Sequence, residues 1–309
     1  MLIIVILLGI LHLAVLALLL YLYLIAPART RGAAKEKARA LWGTWYAHRG
    51  LHSEDRSVPE NSMTAFRAAR EQGYGIELDL TITRDGQVVV FHDDTLERIC
   101  GVPGSPAEMS LEELKALRIL DTDERIPLFR DVLAEIAGAV PLIVELKDTP
   151  RRDELCRAAA VLLDTYGGPF CIESFHPGIV RWFRRNRPEI IRGQLSAGHR
   201  EFPDQSPPVR HLLASLLTNV AARPHFVAYR HQDARRGGTR GGENGGSRSG
   251  SRDGPRGGAR PPLLRRLALF RLLGGALVAW TVTGEDDPES CRESFDAVIF
   301  EYFRPATDY

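Results

Sequence analysis

Hydrophobic and polar positions follow one another along this chain in changing rhythms. From Leu2 to Ala26 there is no alternation at all: the run is apolar and carries no formal charge apart from any contribution of His12. About 20 such residues cross a bilayer as a helix, and Tyr21 and Tyr23 fall near one end, where aromatic rings favour the interface. The rival reading is a cleaved signal peptide, for which Ala26-Pro27-Ala28 offers a loose small-x-small site. Such a peptide expects a basic start and a shorter core, whereas no Lys or Arg precedes this one. Residues 1–26 are therefore expected to form a transmembrane helix, and 27–40 a basic linker. Arg29, Arg31, Lys35, Lys37 and Arg39 of that linker are opposed by Glu36 alone. Basic flanks stay on the cytoplasmic side. This predicts a single-pass protein of the cell membrane with an outward N-terminus and the remainder of the chain in the cytoplasm.

From residue 41 onward, short apolar runs alternate with helical periodicity. TWYAHRG (44–50) reads as a buried strand, and NSMTAFRAAREQG (61–73) as a helix capped by Asn61 and closed by Gly73, with Met63 and Phe66 on one face. GIELDLTI (75–82) alternates strictly, and QVVVFHD (87–93) is a further strand. SLEELKAL carries a capping box, Ser110 with Glu113. A helix over 131–138 leads to PLIVELK (141–147). After a helix over 151–166 come PFCIESF (169–175), a helix near 177–186, and the strands IIRGQL (190–195), HFVAYR (225–230), ALVAWTV (276–282) and AVIFEY (297–302). This repeated strand–helix rhythm predicts an α/β fold, a distorted TIM-like (β/α)8 barrel over 41–309. Nine candidate strands compete for eight places. Only the turn pair Asp85-Gly86 separates the second and third, too little for a parallel crossover. A loop or short hairpin is expected there.

Residues 234–262 interrupt the barrel with Gly, Ser and Arg, a composition that buries no core. They are expected to form a flexible surface insertion; the sharper alternative is a segment binding RNA or, preferably, anionic headgroups. The formal net charge of +1 gives the whole chain no pull toward nucleic acid. The four cysteines show no C-x-x-C spacing, which argues against a disulfide framework or a zinc site. Their lack of pairing agrees with a reducing compartment.

The chemistry is concentrated at strand ends. In GIELDLTI, Ile76, Leu78, Leu80 and Ile82 share one face, and Glu77, Asp79 and Thr81 share the other. If the apolar set faces the surrounding helices, both carboxylates point into the barrel, about 7 Å apart along the strand. Buried like charges are costly without a compensating cation, and Ca²⁺ or Mg²⁺ prefers such oxygen ligands. PLIVELK repeats the pattern: Glu145 can complete a three-carboxylate site, and Lys147 on the same face can neutralise a phosphate. A structural ion pair is the simpler alternative for either strand alone. His48 and His92 also end strands. With Arg49, whose planar fork grips phosphate oxygens, they fit general acid–base chemistry on a phosphate ester. A zinc hydrolase fits less well, because the histidines lack the close spacing of a helical zinc motif.

These residues carry a resemblance. His48-Arg49-Gly50, Pro59-Glu60-Asn61 before a helix with Phe66, Glu77-Leu78-Asp79, Thr83-Arg84-Asp85-Gly86, Val90-Phe91-His92-Asp93, Glu145-Leu146-Lys147, Ser174-Phe175 and Trp280-Thr281-Val282 together resemble the glycerophosphodiester phosphodiesterase family. The resemblance covers about residue 44 to the C-terminus apart from the insertion. It implies a TIM-like barrel that hydrolyses small-molecule or lipid-derived glycerophosphodiesters to glycerol 3-phosphate and an alcohol. It also implies Ca²⁺ or Mg²⁺ at Glu77, Asp79 and Glu145, a catalytic pair His48 and His92, phosphate contacts from Arg49 and Lys147, and Trp280 lining the glycerol pocket. Two late positions depart from the family pattern: Thr283 follows Trp-Thr-Val where Asn is common, and Phe300-Glu301-Tyr302 stands where Thr-Asp is common. Both are expected to shape the substrate pocket more than the chemical centre. The alternatives are cleavage of membrane lysolipids in the manner of a lysophospholipase D, and a membrane-bound module that binds phosphodiesters without turnover.

Overall fold

The computed structural model describes residues 2–30, 33–203, 205–234 and 264–306. Helix α1 (Leu2–Ile25) and α2 (Ala33–Arg39) precede strand β1 (Trp45–Ala47). Then come α3 (Met63–Glu71), β2 (Gly75–Ile82), β3 (Val88–Val90), α4 (Glu97–Cys100), α5 (Leu111–Ala116), α6 (Phe129–Ile136) and β4 (Leu142–Leu146). The chain continues through α7 (Arg152–Asp164), β5 (Phe170–Ser174), α8 (Pro177–Asn186), β6 (Arg192–Ser196), α9 (Pro207–Ala214), α10 (Asn219–Ala222) and β7 (Phe226–Arg230). It ends with α11 (His231–Ala234), α12 (Arg265–Leu272), β8 (Ala276–Val282), α13 (Pro288–Ser294) and β9 (Ala297–Phe300). Apart from Ala234, which ends α11, the Gly/Arg-rich insertion lies outside the described residues.

Eight strands, all but β3, form a closed parallel barrel, sealed by pairing of β1 with both β9 and β2. The surplus ninth strand is β3, which runs antiparallel along β2 (Leu80 opposite Val90, Ile82 opposite Val88) and stays outside the ring. The hairpin expected at Asp85-Gly86 is therefore present. Gly86 turns at φ +81° and its N–H donates to the Thr83 carbonyl, Thr83 Oγ1 donates to Asp85 Oδ1, and the Gln87 N–H donates to Thr83 Oγ1. A hairpin in place of a crossover helix returns the chain to the end of β2 it has just left, and so delivers His92 beside Asp79: the Phe91 N–H donates to the Asp79 carbonyl at 2.9 Å.

The strict alternation of β2 works as expected. Ile76, Leu78, Leu80 and Ile82 join the layer between barrel and helices with Phe66, Phe129 and Val132. Inside, Tyr46, Ile143, Cys171, Phe226, Val278 and Ile299 form a second cluster. It closes the floor of the barrel, where Tyr46 Oη donates to the Leu41 carbonyl. Gly193 is obligatory in that filling, since a Cβ there would lie 2.2 Å from the Phe226 ring. The capping box Ser110–Glu113 is formed. The cap of α3 differs from expectation: Ser62, with extended backbone, accepts from the Ala65 N–H, while Asn61 is drawn into the site below.

Helix α1 is exposed from Leu2 to Leu20 and buried at Ile25. It is long and apolar enough to cross a membrane.

Candidate active site

The site follows from strand register. Ala47 of β1 is level with Ile76, so the next residue, His48, stands beside Glu77; their Nε2 and Oε2 atoms are 4.0 Å apart. Asp79 is level with Glu145, and Glu145 with Glu173. Acidic side chains from three strands thus converge at the C-terminal mouth of the barrel, where βα loops place the chemistry of this fold. Carboxylate oxygens of Glu77, Asp79 and Glu145 lie within 4.8 Å of one another, and all three residues are buried.

Two cations neutralise part of that charge. Lys147 Nζ lies 3.0 Å from Glu145 Oε1 and 3.2 Å from Asp79 Oδ1. Arg49 Nε lies 3.4 Å from Asp79 Oδ2, and the Arg49 backbone N–H donates to Glu77 Oε2. Arg49 and Asn61 both sit in left-handed backbone at φ +53°, a conformation that costs energy outside glycine and collects at functional sites. The Asn61 N–H donates to the Arg49 carbonyl, and Asn61 Nδ2 donates to Asp79 Oδ2 at 2.8 Å. Gly50 follows at φ +79°, where a Cβ would lie 2.8 Å from that of Ala65.

The electrostatics divide the acids. Burial and then the charges of Asp79 and Glu145 push the Glu77 carboxyl well up from its ordinary range. Burial raises Glu145 to about 7 against the pull of Lys147. Burial acts the same way on Asp79, but Lys147, His92 and Arg49 outweigh it and hold that carboxyl below its usual range. Burial is also the main cause that lowers His48 and His92. Each imidazole has a carboxylate partner on Nδ1: Glu301 Oε2 at 2.9 Å for His48, and Asp93 Oδ1 at 2.6 Å for His92. A carboxylate there fixes the proton on Nδ1 and leaves Nε2 for proton transfer. Asp93 is in turn gripped by Arg98, which also bonds Glu60, the acceptor of Arg49 Nη1. One chain of ion pairs therefore runs from His92 to Arg49.

All eight residues expected from the sequence meet here. His48, Arg49, Glu77, His92, Glu145 and Trp280 line a cleft of about 150 Å³ together with Glu173 and Phe175, and Asp79 and Lys147 are bonded to that lining. Trp280 stacks edge-on against Phe175, with centroids 5.5 Å apart. The larger cavity, about 420 Å³ around Lys37, Tyr166 and Ile190, holds none of these groups.

Three features escape the sequence reading. Glu301 touches the chemical centre through His48 and also faces His52 at 3.6 Å, which corrects the expectation that this late departure shapes the pocket more than the centre. Glu173, buried beside Glu145 with Oε2 unpartnered among the described residues, continues the same inward face as Cys171; strand alternation in PFCIESF was its available signal. Asn61 serves the site and not the helix cap.

The site is thus three carboxylates, two carboxylate-backed histidines and two cations at the mouth of a TIM barrel. The model of the Glycerophosphoryl diester phosphodiesterase family matches residues 48–295, and the chain belongs to this family. It is 38% identical over 108 residues to a glycerophosphodiester phosphodiesterase of Caldanaerobacter subterraneus, a match covering 33% of this chain and 43% of that protein. A putative glycerophosphodiester phosphodiesterase of Bacillus subtilis is 32% identical over 153 residues, covering 47% and 62% respectively. The chain thus spans about half the length of these curated relatives. Among solved structures, an Oleispira antarctica phosphodiesterase in complex with sn-glycerol-3-phosphate superimposes with a TM-score of 0.61 at 21% identity, covering 85% of this chain and 94% of that one. A putative glycerophosphoryl diester phosphodiesterase from Silicibacter pomeroyi gives 0.66 at 20% identity, covering 86% and 94%. At such identities these likenesses speak for the fold.

Proposed function

We propose that this protein hydrolyses glycerophosphodiesters to glycerol 3-phosphate and an alcohol, with a divalent cation and with His48 and His92 as the acid–base pair. The observation that carries the reading is the convergence of both imidazoles, the three buried carboxylates and the cations Arg49 and Lys147 on one cleft. The donor set fits a hard cation: three acidic side chains, all oxygen, raise one another's charge cost in a buried place, and Lys147 and Arg49 offset only part of it. Glu77, Asp79 and Glu145 would hold the ion. A bound Ca²⁺ or Mg²⁺ supplies Lewis-acid stabilisation of negative charge on phosphoryl oxygens.

The chain's own groups have separate tasks. Arg49 and Lys147 orient the phosphate. With Nδ1 protons tied to Glu301 and Asp93, the Nε2 atoms are the sites of proton transfer: one accepts the nucleophile's proton and the other, protonated, donates to the leaving alcohol. Trp280 and Phe175 wall the cleft beside the glycerol. Glycerol 3-phosphate release from glycerophosphocholine by the full chain in detergent, with EDTA and then with Ca²⁺ or Mg²⁺ restored, tests the reading. Metal-dependent release is expected; silence under every metal would overturn it.

The same proposal places the protein at a membrane through α1, with the barrel on the cytoplasmic side, because the basic residues after the span favour retention there. External protease added to intact cells is expected to spare the barrel, and its digestion would reverse the orientation.

A further inference from the structure

Helix α1 is docked on the barrel, and the direction of docking has a consequence for substrate supply. Its last turn runs into the layer around β7. Ile25 is fully buried, and its carbonyl accepts from Asn219 Nδ2 at 3.3 Å. Arg223 Nη1 donates to the carbonyls of Tyr23 and Ala26 at 2.6 and 3.0 Å, and its guanidinium lies 4.5 Å from the Tyr23 ring centroid. The Ala28 N–H donates to the Pro224 carbonyl at 2.8 Å, just before the floor end of β7. One turn upstream of Ile25, Tyr21 packs on the core, and α1 lies against α12, the helix whose first turn carries Arg266. Arg266 donates to Tyr229 Oη, near the mouth end of the same strand. From Tyr21 to Ala28 the chain therefore descends from mouth to floor, antiparallel to β7. Leu2–Leu20, all exposed, continue in the opposite sense, past the mouth. That stretch is about 30 Å of helix, the thickness of a bilayer's hydrocarbon core.

A second feature lies on the same side. Helix α9 is held over the mouth end of β6 by Ser196 Oγ, which donates to the Leu213 carbonyl. The segment before it brings Phe202 against Phe175 of the cleft, with centroids 6.2 Å apart. This lip exposes Val209 and Leu212 together with Arg200 and His211, the mixture of apolar and basic groups that settles at a bilayer surface.

We propose that the docked end of α1 holds the barrel with its catalytic mouth against the bilayer and the α9 lip in the headgroup layer, so that the substrate class it serves is a glycerophosphodiester resident in the membrane. The inference rests on reading α1 as a span and on the reaction proposed above, and it is tested separately from both. The full chain, with Cys100→Ser to remove its one half-buried thiol, is reconstituted in phosphatidylcholine–phosphatidylglycerol vesicles. A bimane label is placed at Leu212→Cys on the lip or at Leu272→Cys, 82% exposed at the floor end of α12. With nitroxide quenchers at headgroup depth, the lip label is expected to lose most of its emission and the floor label to keep it. Equal loss, or greater loss at the floor, overturns the proposal. So does extraction of the chain by alkaline carbonate, which would remove the span itself. Breaking the dock with Asn219→Ala and Arg223→Ala is expected to abolish the difference between the labels. It should also cost turnover of vesicle-borne lysophospholipid while leaving hydrolysis of glycerophosphocholine unchanged; an undiminished difference shows that the dock does not set the orientation. If the unaltered chain cleaves neither substrate, the reaction reading fails while the quenching result still decides the orientation.

Discussion

Replacing His48 or His92 by alanine is expected to lower turnover of a glycerophosphodiester by about 10²- to 10⁴-fold, the usual contribution of a positioned acid or base. Both side chains line the cleft and neither fills the apolar core, so the far-ultraviolet circular dichroism and melting temperature should move little. The two positions form a pair in which each proton transfer depends on the other, so the double variant should be scarcely slower than the worse single one. A rate measured with a labile aryl leaving group separates them. The variant that lacks the acid recovers, because a good leaving group needs no proton, and the variant that lacks the base does not. Near-normal rates in both single variants would remove these histidines from the mechanism.

The second large effect concerns the carboxylates. Asp79→Asn is expected to abolish Ca²⁺ or Mg²⁺ binding by calorimetry and to reduce activity to background. Asp79 is the one member of the trio held ionised by Lys147, His92 and Arg49, and it keeps the backbone strain at Asn61 in place. Its two partners make binding pH-dependent. Glu145 rises from an ordinary 4.5 to about 7, and Glu77 is also raised, both mainly by burial. A carboxyl raised on folding binds more protons in the native than in the unfolded state, so its contribution to stability is present in full below about 4.5 and lost as pH climbs through about 7. The contribution of these two carboxyls to the stability of the metal-free protein should therefore fall over that interval, while the lowered His48 and His92 act in the opposite direction. Cation binding must displace those protons, so affinity should rise over the same interval and the melting-temperature gain from added Ca²⁺ should be larger at pH 8 than at pH 5.5. Equal gains at both pH values would sink the assignment of Glu145 as a ligand.

Particular residues mark the boundary between what one dimension and three dimensions decide. The alternation of GIELDLTI and PLIVELK, with carboxylates on one face and aliphatics on the other, already separated the inside of the barrel from the outside. A period of two in a strand leaves no other way to bury both sets. The short spacing around Asp85-Gly86 likewise required a hairpin, because no crossover fits in it. The gap between Asp79 and Glu145 in the chain conceals their contact, which depends on parallel register between β2 and β4. Glu301 is 253 residues from His48 and meets it only because the barrel closes. From its place just after β9 it reads as a pocket residue.

Local pattern, then, determined the elements, the apolar first helix, the barrel and seven of the residues that meet at its mouth, because periodicity and turn chemistry act over a few neighbouring positions; Trp280 came from the family resemblance alone. Ring closure and strand register decided which charges compensate which, the carboxylate of Glu301 behind His48, the displacement of Asn61 from cap to site, and the descent of α1 from mouth to floor. Those relations depend on distances between segments far apart in the chain, and no local periodicity encodes them.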